Sequence, residues 1–252
     1  MTIRVALDED YHVHSTFSDG ASTLAQNVRV ARERRLRTLC LADHVRRDTL
    51  WVPDFVAAVS AYRSLSQPRV LAGLEAKILD SSGRLDIPPG LGCVDAVAGI
   101  DIVLIADHRF PGDHGPVHPA EMRAAIDGHD VTAQEAIECL VEATVYALAA
   151  APHALVAHLF SLLPKIGLDE DQVPPLLLDH LAKRIARADA LVEVNEKWRC
   201  PSARTVAALA RADVRLVAGS DSHHCEHIAG YDSVIQTVRA GRVPCASGQV
   251  PC

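Results

Sequence analysis

Only 4% of the 252 residues are aromatic, so no core can be built around large rings. The 49% that is hydrophobic must therefore be mostly Ala, Val, Leu and Ile, the usual material of buried parallel strands. Cysteine is present but unorganised. Seven stand at 40, 93, 139, 200, 225, 245 and 252 without a CxxC pair, which excludes a disulfide framework and fits a reduced, cytoplasmic protein. No run approaches the roughly 20 apolar residues of a membrane helix. The opening MTIRVALDED lacks the apolar stretch of a secretory leader. Positive charge is in deficit, with 25 Lys and Arg against 32 Asp and Glu and a net charge of −7. That balance excludes a general surface for long nucleic acid or anionic membrane. An anionic substrate must then be held by local cations or by metal. Neither GxGxxG nor GxxxxGK[ST] follows any apolar run, which disfavours a nucleotide-binding open sheet. There is no internal repeat and no low-complexity linker, and the length suits a single domain spanning 1–252.

What the chain does contain is an alternation. Seven short apolar runs read as strands, most of them buried on both faces: YHVHS (11–15), TLCLADH (38–44), VLAGLEAKI (70–78), DIVLIADH (101–108), ALVAHL (154–159), ALVEVNE (190–196) and RLVAGSDSH (215–223). Helical segments separate most of them. In 22–36, Leu24, Val28 and Ala31 share one face. The segment 132–150 opens on TAQE, a capping box of Thr132 and Glu135, and continues through Ile137, Leu140, Val141, Thr144, Val145 and Leu148. Helices over 174–187 and 202–212 begin at Pro174-Pro175 and Pro201-Ser202. Such alternation implies parallel strands with right-handed crossovers, and the missing nucleotide loops favour a barrel.

The polar residues cluster where strands end. His12 and His14 close the first run, His44 the second, His108 the fourth, and Asp221 and His223 the last. Glu75 is late in the third, His158 late in the fifth, and Asp19 lies in the loop after the first. In an α/β barrel all these ends surround one mouth. Period 2 puts both residues of H-x-H on one face. One histidine at a strand end is unremarkable, but six with three carboxylates would be unstable without a cation. The sequence predicts a metal centre with nitrogen and oxygen ligands and no thiolate, suited to Zn²⁺, Mn²⁺ or Fe²⁺.

HVHSTFSDG, LADH, GLEAKI, ADH, VAH and GSDSH, in this order from residue 12 to 223, resemble the PHP (polymerase and histidinol phosphatase) family. The resemblance implies a distorted seven-stranded (β/α)7 barrel holding three divalent ions. Carried across, His12, His14, Glu75 and Asp221 would bind the first ion. Glu75 would bridge to a second, held also by His108 and His158. Asp19, His44 and His223 would bind the third. It further implies phosphoester hydrolysis by a metal-bridging hydroxide, with Glu75, Asp221 and His223 nearest the chemistry; the leaving group must then be neutralised by the third ion or by a proton from a nearby acid, and the ion is the expected route.

Cations past the strand ends are candidates for the substrate phosphate: Arg46, Arg47, Arg109, Lys197 and Arg199, with Lys197 and Arg199 the first choice. Trp51 and Trp198 in the same loops either anchor them or stack on a substrate ring. The Gly- and Pro-rich stretch 109–121 is long enough for a flap. Its His114 and His118 read as surface residues, and in HHCEH only His223 is given a role, leaving His224, Cys225 and His227 without one. His129, His153 and His180 likewise receive none, and CASGQVPC is expected to be a poorly packed tail. The expected substrate is a small phosphomonoester, of histidinol-phosphate, nucleotide or sugar-phosphate type, with a small phosphodiester second. An amidohydrolase-type barrel would bridge its metals by a lysine on the fourth strand rather than by Glu75. A non-catalytic PHP module, acting on partners, would be expected to have lost ligands.

Overall fold

The computed structural model describes residues 3–89, 99–151 and 153–241. Cys93, Cys245, Cys252 and the CASGQVPC segment lie outside them. In chain order the elements are β1 (Glu9–Val13), α1 (Leu24–Glu33), β2 (Thr38–Val45), α2 (Val52–Ser60), β3 (Arg69–Lys77), β4 (Ile102–Ala106), β5 (Phe110–Gly112) and β6 (Gly115–Val117). They continue as α3 (Pro119–Asp127), α4 (Ala133–Ala150), β7 (Ala154–Val156), α5 (Pro175–Arg187), β8 (Leu191–Asn195), α6 (Ala203–Arg211), β9 (Arg215–Gly219) and α7 (Ser233–Gly241).

Seven strands pair in the order β1-β2-β3-β4-β7-β8-β9, every neighbouring pair parallel. The two edges then meet. His14 N–H donates to Ser222 O at 2.8 Å and Ser222 N–H to His12 O at 3.2 Å, which nearly closes the sheet into the expected α/β barrel. The main core lies between strands and helices, where the Leu39, Leu41, Val70 and Val103 faces meet Leu140, Leu181 and Val206. Residues of the alternate face, among them Cys40, Ala42, Leu71, Leu104, Leu155 and Val217, form a second small cluster inside the barrel. This division follows from period 2 in strands covered on both faces.

Local signals act as expected at several helix starts. Thr132 Oγ1 accepts from Glu135 N–H at 3.2 Å while the Glu135 carboxylate accepts from Thr132 N–H at 2.8 Å. The apolar face from Ile137 to Leu148 is buried against the barrel. Ser202 caps α6 and Pro175 opens α5. Two local features differ from expectation. The stretch 109–121 is not an open flap: Phe110–Gly112 and Gly115–Val117 form a small antiparallel hairpin, and His118 accepts from Ala120 N–H at 3.1 Å as the N-cap of α3. β7 is also shorter than its apolar run, because the chain leaves the sheet before His158, whose backbone is left-handed (φ 31°). Among the described residues no helix is long and apolar enough to cross a membrane.

Candidate metal centre

The strand ends and the loop after β1 bring the nine candidates into one cluster, with Glu75 at its centre. Strand register places Glu75 opposite His44 on one side and Leu104 on the other, deep in the middle of the barrel mouth. Its Oε1 is 3.0 Å from His108 Nε2 and 3.0 Å from His158 Nε2. Its Oε2 is 2.8 Å from His44 Nδ1, 3.3 Å from His12 Nε2 and 3.4 Å from His14 Nε2. Asp221 Oδ1 is 3.3 Å from His14 Nε2, and Asp19 Oδ2 lies 3.5 Å from His44 Nε2 and 3.4 Å from His223 Nε2. Among the described residues three sets of side chains each bring their ligand atoms within 4.8 Å of one another: His14, Asp19, His44 and His223; His12, His14 and Asp221; and His44, Glu75 and His108. His14 and His44 each fall in two of these sets, where the family pattern assigns each to one.

The backbone is shaped to deliver these groups. β1 slips register against β2 between Asp10 and Val13, a bulge beside the site that re-aims the H-x-H pair. Asp221, like His158, adopts a left-handed backbone (φ 50°), which is uncommon for a non-glycine residue although Asp and His tolerate it better than most. The loop carrying Asp19 is fastened by Asp43, which accepts from Ser15 N–H (2.8 Å), Ser15 Oγ (2.6 Å), Ser18 N–H (3.2 Å) and Ser18 Oγ (2.6 Å). A Cβ on Gly20 would stand 2.6 Å from Ser15 N, so only glycine closes that turn. The serines and glycine of HSTFSDG thus hold the loop in place.

The donor set fits a divalent cation. His12 donates from Nδ1 to Glu193 Oε1 at 3.0 Å, so its Nε2 points into the cluster and meets His14 Nε2 at 3.1 Å. Two imidazole nitrogens aimed at one volume suit a shared cation, and the buried His14 Nδ1 has no hydrogen-bond partner. Electrostatics agrees. Burial alone would pull His12 down, yet Glu193 and Glu75 hold it well above the usual histidine range. Burial is likewise overcome at His158, where Asp107 and Glu75 push the ring up to about 10. Burial would raise Glu75, but His12 and His108 keep it well below the carboxylate range. Asp221 is also held well down against burial, by His12 and His14. His14, by contrast, is pulled down to about 4 by burial, with His12 and His44 adding to the effect, and stays a neutral donor. The carboxylates thus favour positive charge on His12 and His158, while burial and the neighbouring rings leave His14 neutral.

A cleft of about 520 Å³ opens beside this cluster, lined by Asp19, His44, Glu75 and His108 together with Arg46, Lys77 and Arg109. Among the described residues neither the Arg46 nor the Arg109 guanidinium is engaged by an ion pair or hydrogen bond. Lys197 lies elsewhere on the rim, with Nζ 3.1 Å from Asp221 Oδ1 and 3.3 Å from His223 Nδ1. Arg47 and Arg199 are exposed and do not line the cleft. Trp198 donates Nε1–H to Asp221 Oδ2 at 2.7 Å and carries Lys165 Nζ 3.8 Å over its ring, while Trp51 packs on Phe17 and Phe55. A larger hollow of about 630 Å³, beside Glu9, Leu191 and Arg215 at the opposite end of the strands, contains none of these groups. His114 and His118 are exposed on the hairpin and helix cap, and His224 caps a short turn containing the buried Cys225.

Several buttressing residues escape a reading of the sequence by strand ends alone. Asp43 and Asp107 each precede a ligand candidate, and Asp107 accepts from His158 Nδ1 at 3.2 Å and Ser161 Oγ at 2.8 Å. The signal was the repeated Ala-Asp-His at 42–44 and 106–108. Lys77 shares the inward face with Glu75 by period 2 and pairs with Asp86 at 3.2 Å. Glu193 is a lone carboxylate in an apolar strand.

Comparison with known proteins agrees with this architecture. The family model for the PHP domain matches residues 10–237. The chain is 26% identical to a probable phosphatase of Shewanella piezotolerans, over 93% of its own length and 85% of that protein. It is 22% identical to a probable phosphatase of Caldanaerobacter subterraneus subsp. tengcongensis, over 97% and 86%. A crystal structure of histidinol phosphate phosphatase from Lactococcus lactis, complexed with zinc, L-histidinol and phosphate, superposes with a TM-score of 0.61 at 17% identity. That match covers 93% of this chain and 90% of the other.

Proposed function

The chain belongs to the PHP domain family, and from that premise we propose that it is a metal-dependent phosphoesterase acting on a small phosphomonoester. The observation that carries the proposal is the convergence of six imidazoles and three carboxylates on the mouth of one barrel. Two curated relatives named as probable phosphatases support the reaction class. The Lactococcus structure, with histidinol and phosphate bound, supports a small phosphorylated substrate.

In this proposal three divalent ions, of zinc, manganese or iron, are held by His12, His14, Asp19, His44, Glu75, His108, His158, Asp221 and His223. Such ions supply Lewis acidity for phosphoryl oxygens and make water a nucleophile near neutral pH. The chain's own contribution is positioning. Glu75 spans the centre of the cluster, Trp198 orients Asp221 through its indole N–H, and His223 stands half-buried at the rim beside Asp19. Arg46 and Arg109 now stand ahead of Lys197 and Arg199 as phosphate contacts. Their guanidiniums are unengaged and line the cleft, whereas the Lys197 ammonium already rests on Asp221.

The test is a panel of phosphomonoesters and diesters presented to metal-loaded protein, with elemental analysis of the same preparation. The expected result is phosphate release from at least one monoester and about three metal equivalents per chain. Less than one equivalent, in protein whose activity ignores added metal, would overturn the proposal.

A further inference from the structure

Glu193 sits in the middle of β8, wholly buried beneath the cluster, and it is not among the nine ligand candidates. Its two oxygens serve two different arms of the site. Oε1 is 3.0 Å from His12 Nδ1, and Oε2 accepts the His158 backbone N–H at 2.7 Å. Among the described residues its only ion-pair partner is His12, so no lysine or arginine accounts for burying a carboxylate there. The neighbouring strand makes room for it. A Cβ on Gly219 of β9 would stand 1.8 Å from Glu193 Oε1, so the carboxylate keeps its place only beside a glycine.

We propose that Glu193 is a positioning residue that ties His12 and the His158 turn into one array and keeps the His12 ring proton on Nδ1. The inference rests on the assignment of His12 as a metal ligand. A carboxylate can only accept, so the ring nitrogen facing it donates, and when a metal cation takes the place of the Nε2 proton the lone pair of Nε2 is free to bind it. That lone pair faces His14 Nε2 at 3.1 Å and Glu75 Oε2 at 3.3 Å, in the middle of the candidate ligands. The same carboxylate holds the N–H of His158, whose backbone is left-handed at φ 31°. One side chain therefore sets the tautomer of a donor for one ion and the backbone of a donor for its neighbour. Outer-shell carboxylates on metal-binding histidines act in this way.

Glutamine in its place cannot do both. If its oxygen stays on the His158 N–H, its amide N–H₂ faces His12 Nδ1, which must accept, and the ring proton moves to Nε2. If it is reversed, two donors oppose each other at His158.

The experiment compares wild type, Glu193→Gln and Gly219→Ala; the last displaces Oε1 without changing any charged group. Metal affinity is read by chelator competition, and ligand geometry by the visible absorption of the cobalt-loaded protein. Wild type should bind tightly. Each variant should lose about 10- to 100-fold in affinity and show an altered cobalt spectrum. A direct measurement needs no variant: ¹⁵N NMR of zinc-loaded wild type should show His12 protonated on Nδ1 and bare at Nε2. Metal-binding wild type with its proton on Nε2, or folded variants with wild-type affinity and spectrum, would overturn the inference while leaving the metal reading intact. Wild type that binds no metal would overturn the metal reading first, and this inference with it.

Discussion

A buried carboxylate ringed by imidazoles can be neutralised by protons or by metal, and Glu75 is placed for the second. Five histidine nitrogens lie between 2.8 and 3.4 Å from its oxygens, too many for it to satisfy by hydrogen bonding alone. His12→Ala or Glu75→Gln should therefore abolish hydrolysis, lowering turnover by more than about 100-fold, beyond what an outer-shell partner is worth. Far-UV circular dichroism and cooperative melting should be preserved, because both residues sit at the mouth rather than between strands and helices. Near-wild-type turnover in either variant would count decisively against the proposed function. On the substrate side, Arg46→Ala and Arg109→Ala should each cost about 1.5–3 kcal/mol, the worth of a charge-assisted hydrogen bond, or about one to two decades in kcat/KM. Metal content should stay constant. Unchanged efficiency in both would leave the phosphate to the metals and backbone. The candidate ligands were legible because each is a polar residue closing an apolar run. Glu193, Asp43 and Asp107 were not. The Ala-Asp-His repeat points to the two aspartates but not to their partners, which are serine hydroxyls and backbone N–H groups of loops or a ring nitrogen across the barrel, and sequence spacing does not encode these.

Elements were legible to the extent that burial is symmetric. Strands covered on both faces appear as continuous apolar runs, and capping boxes announce α4 directly. The hairpin of β5 and β6 was hidden because three-residue strands with Gly and Pro carry no period. Some helix starts depend on partners far along the chain. Glu170, more than 30 residues before α6, accepts from Ser202 N–H at 2.8 Å and Thr205 Oγ1 at 2.8 Å, fastening that helix. Burial raises the Glu170 carboxyl above its ordinary value, opposed by the Ser202 and Thr205 hydrogen bonds. The folded state thus holds the proton more tightly than the unfolded one. The group's stabilisation is complete below its unfolded value of about 4.3 and is lost as pH rises through the higher folded value. Relative to Glu170→Gln, wild type should lose stability as pH climbs from about 4 and level off once the group is ionised in both states. Urea melts at a series of pH values would show this, and a flat or rising difference would refute it.

At the scale of the molecule, a net charge of −7 must still admit a phosphorylated substrate. The barrel reconciles the two by concentrating cation-seeking groups at one mouth and placing Arg46, Lys77 and Arg109 on its cleft. Such an arrangement suits a small ester better than a polymer, because cations gathered at one cleft do not make an extended track. In the proposed function, hydrolysis depends on metal held at this mouth. The most direct test is phosphate release from a responsive monoester before chelation, after exhaustive chelation, and after zinc, manganese or iron is restored. Release should fall to background on chelation and return with the metal. Release that survives complete removal of metal, with the protein still folded, would contradict that dependence.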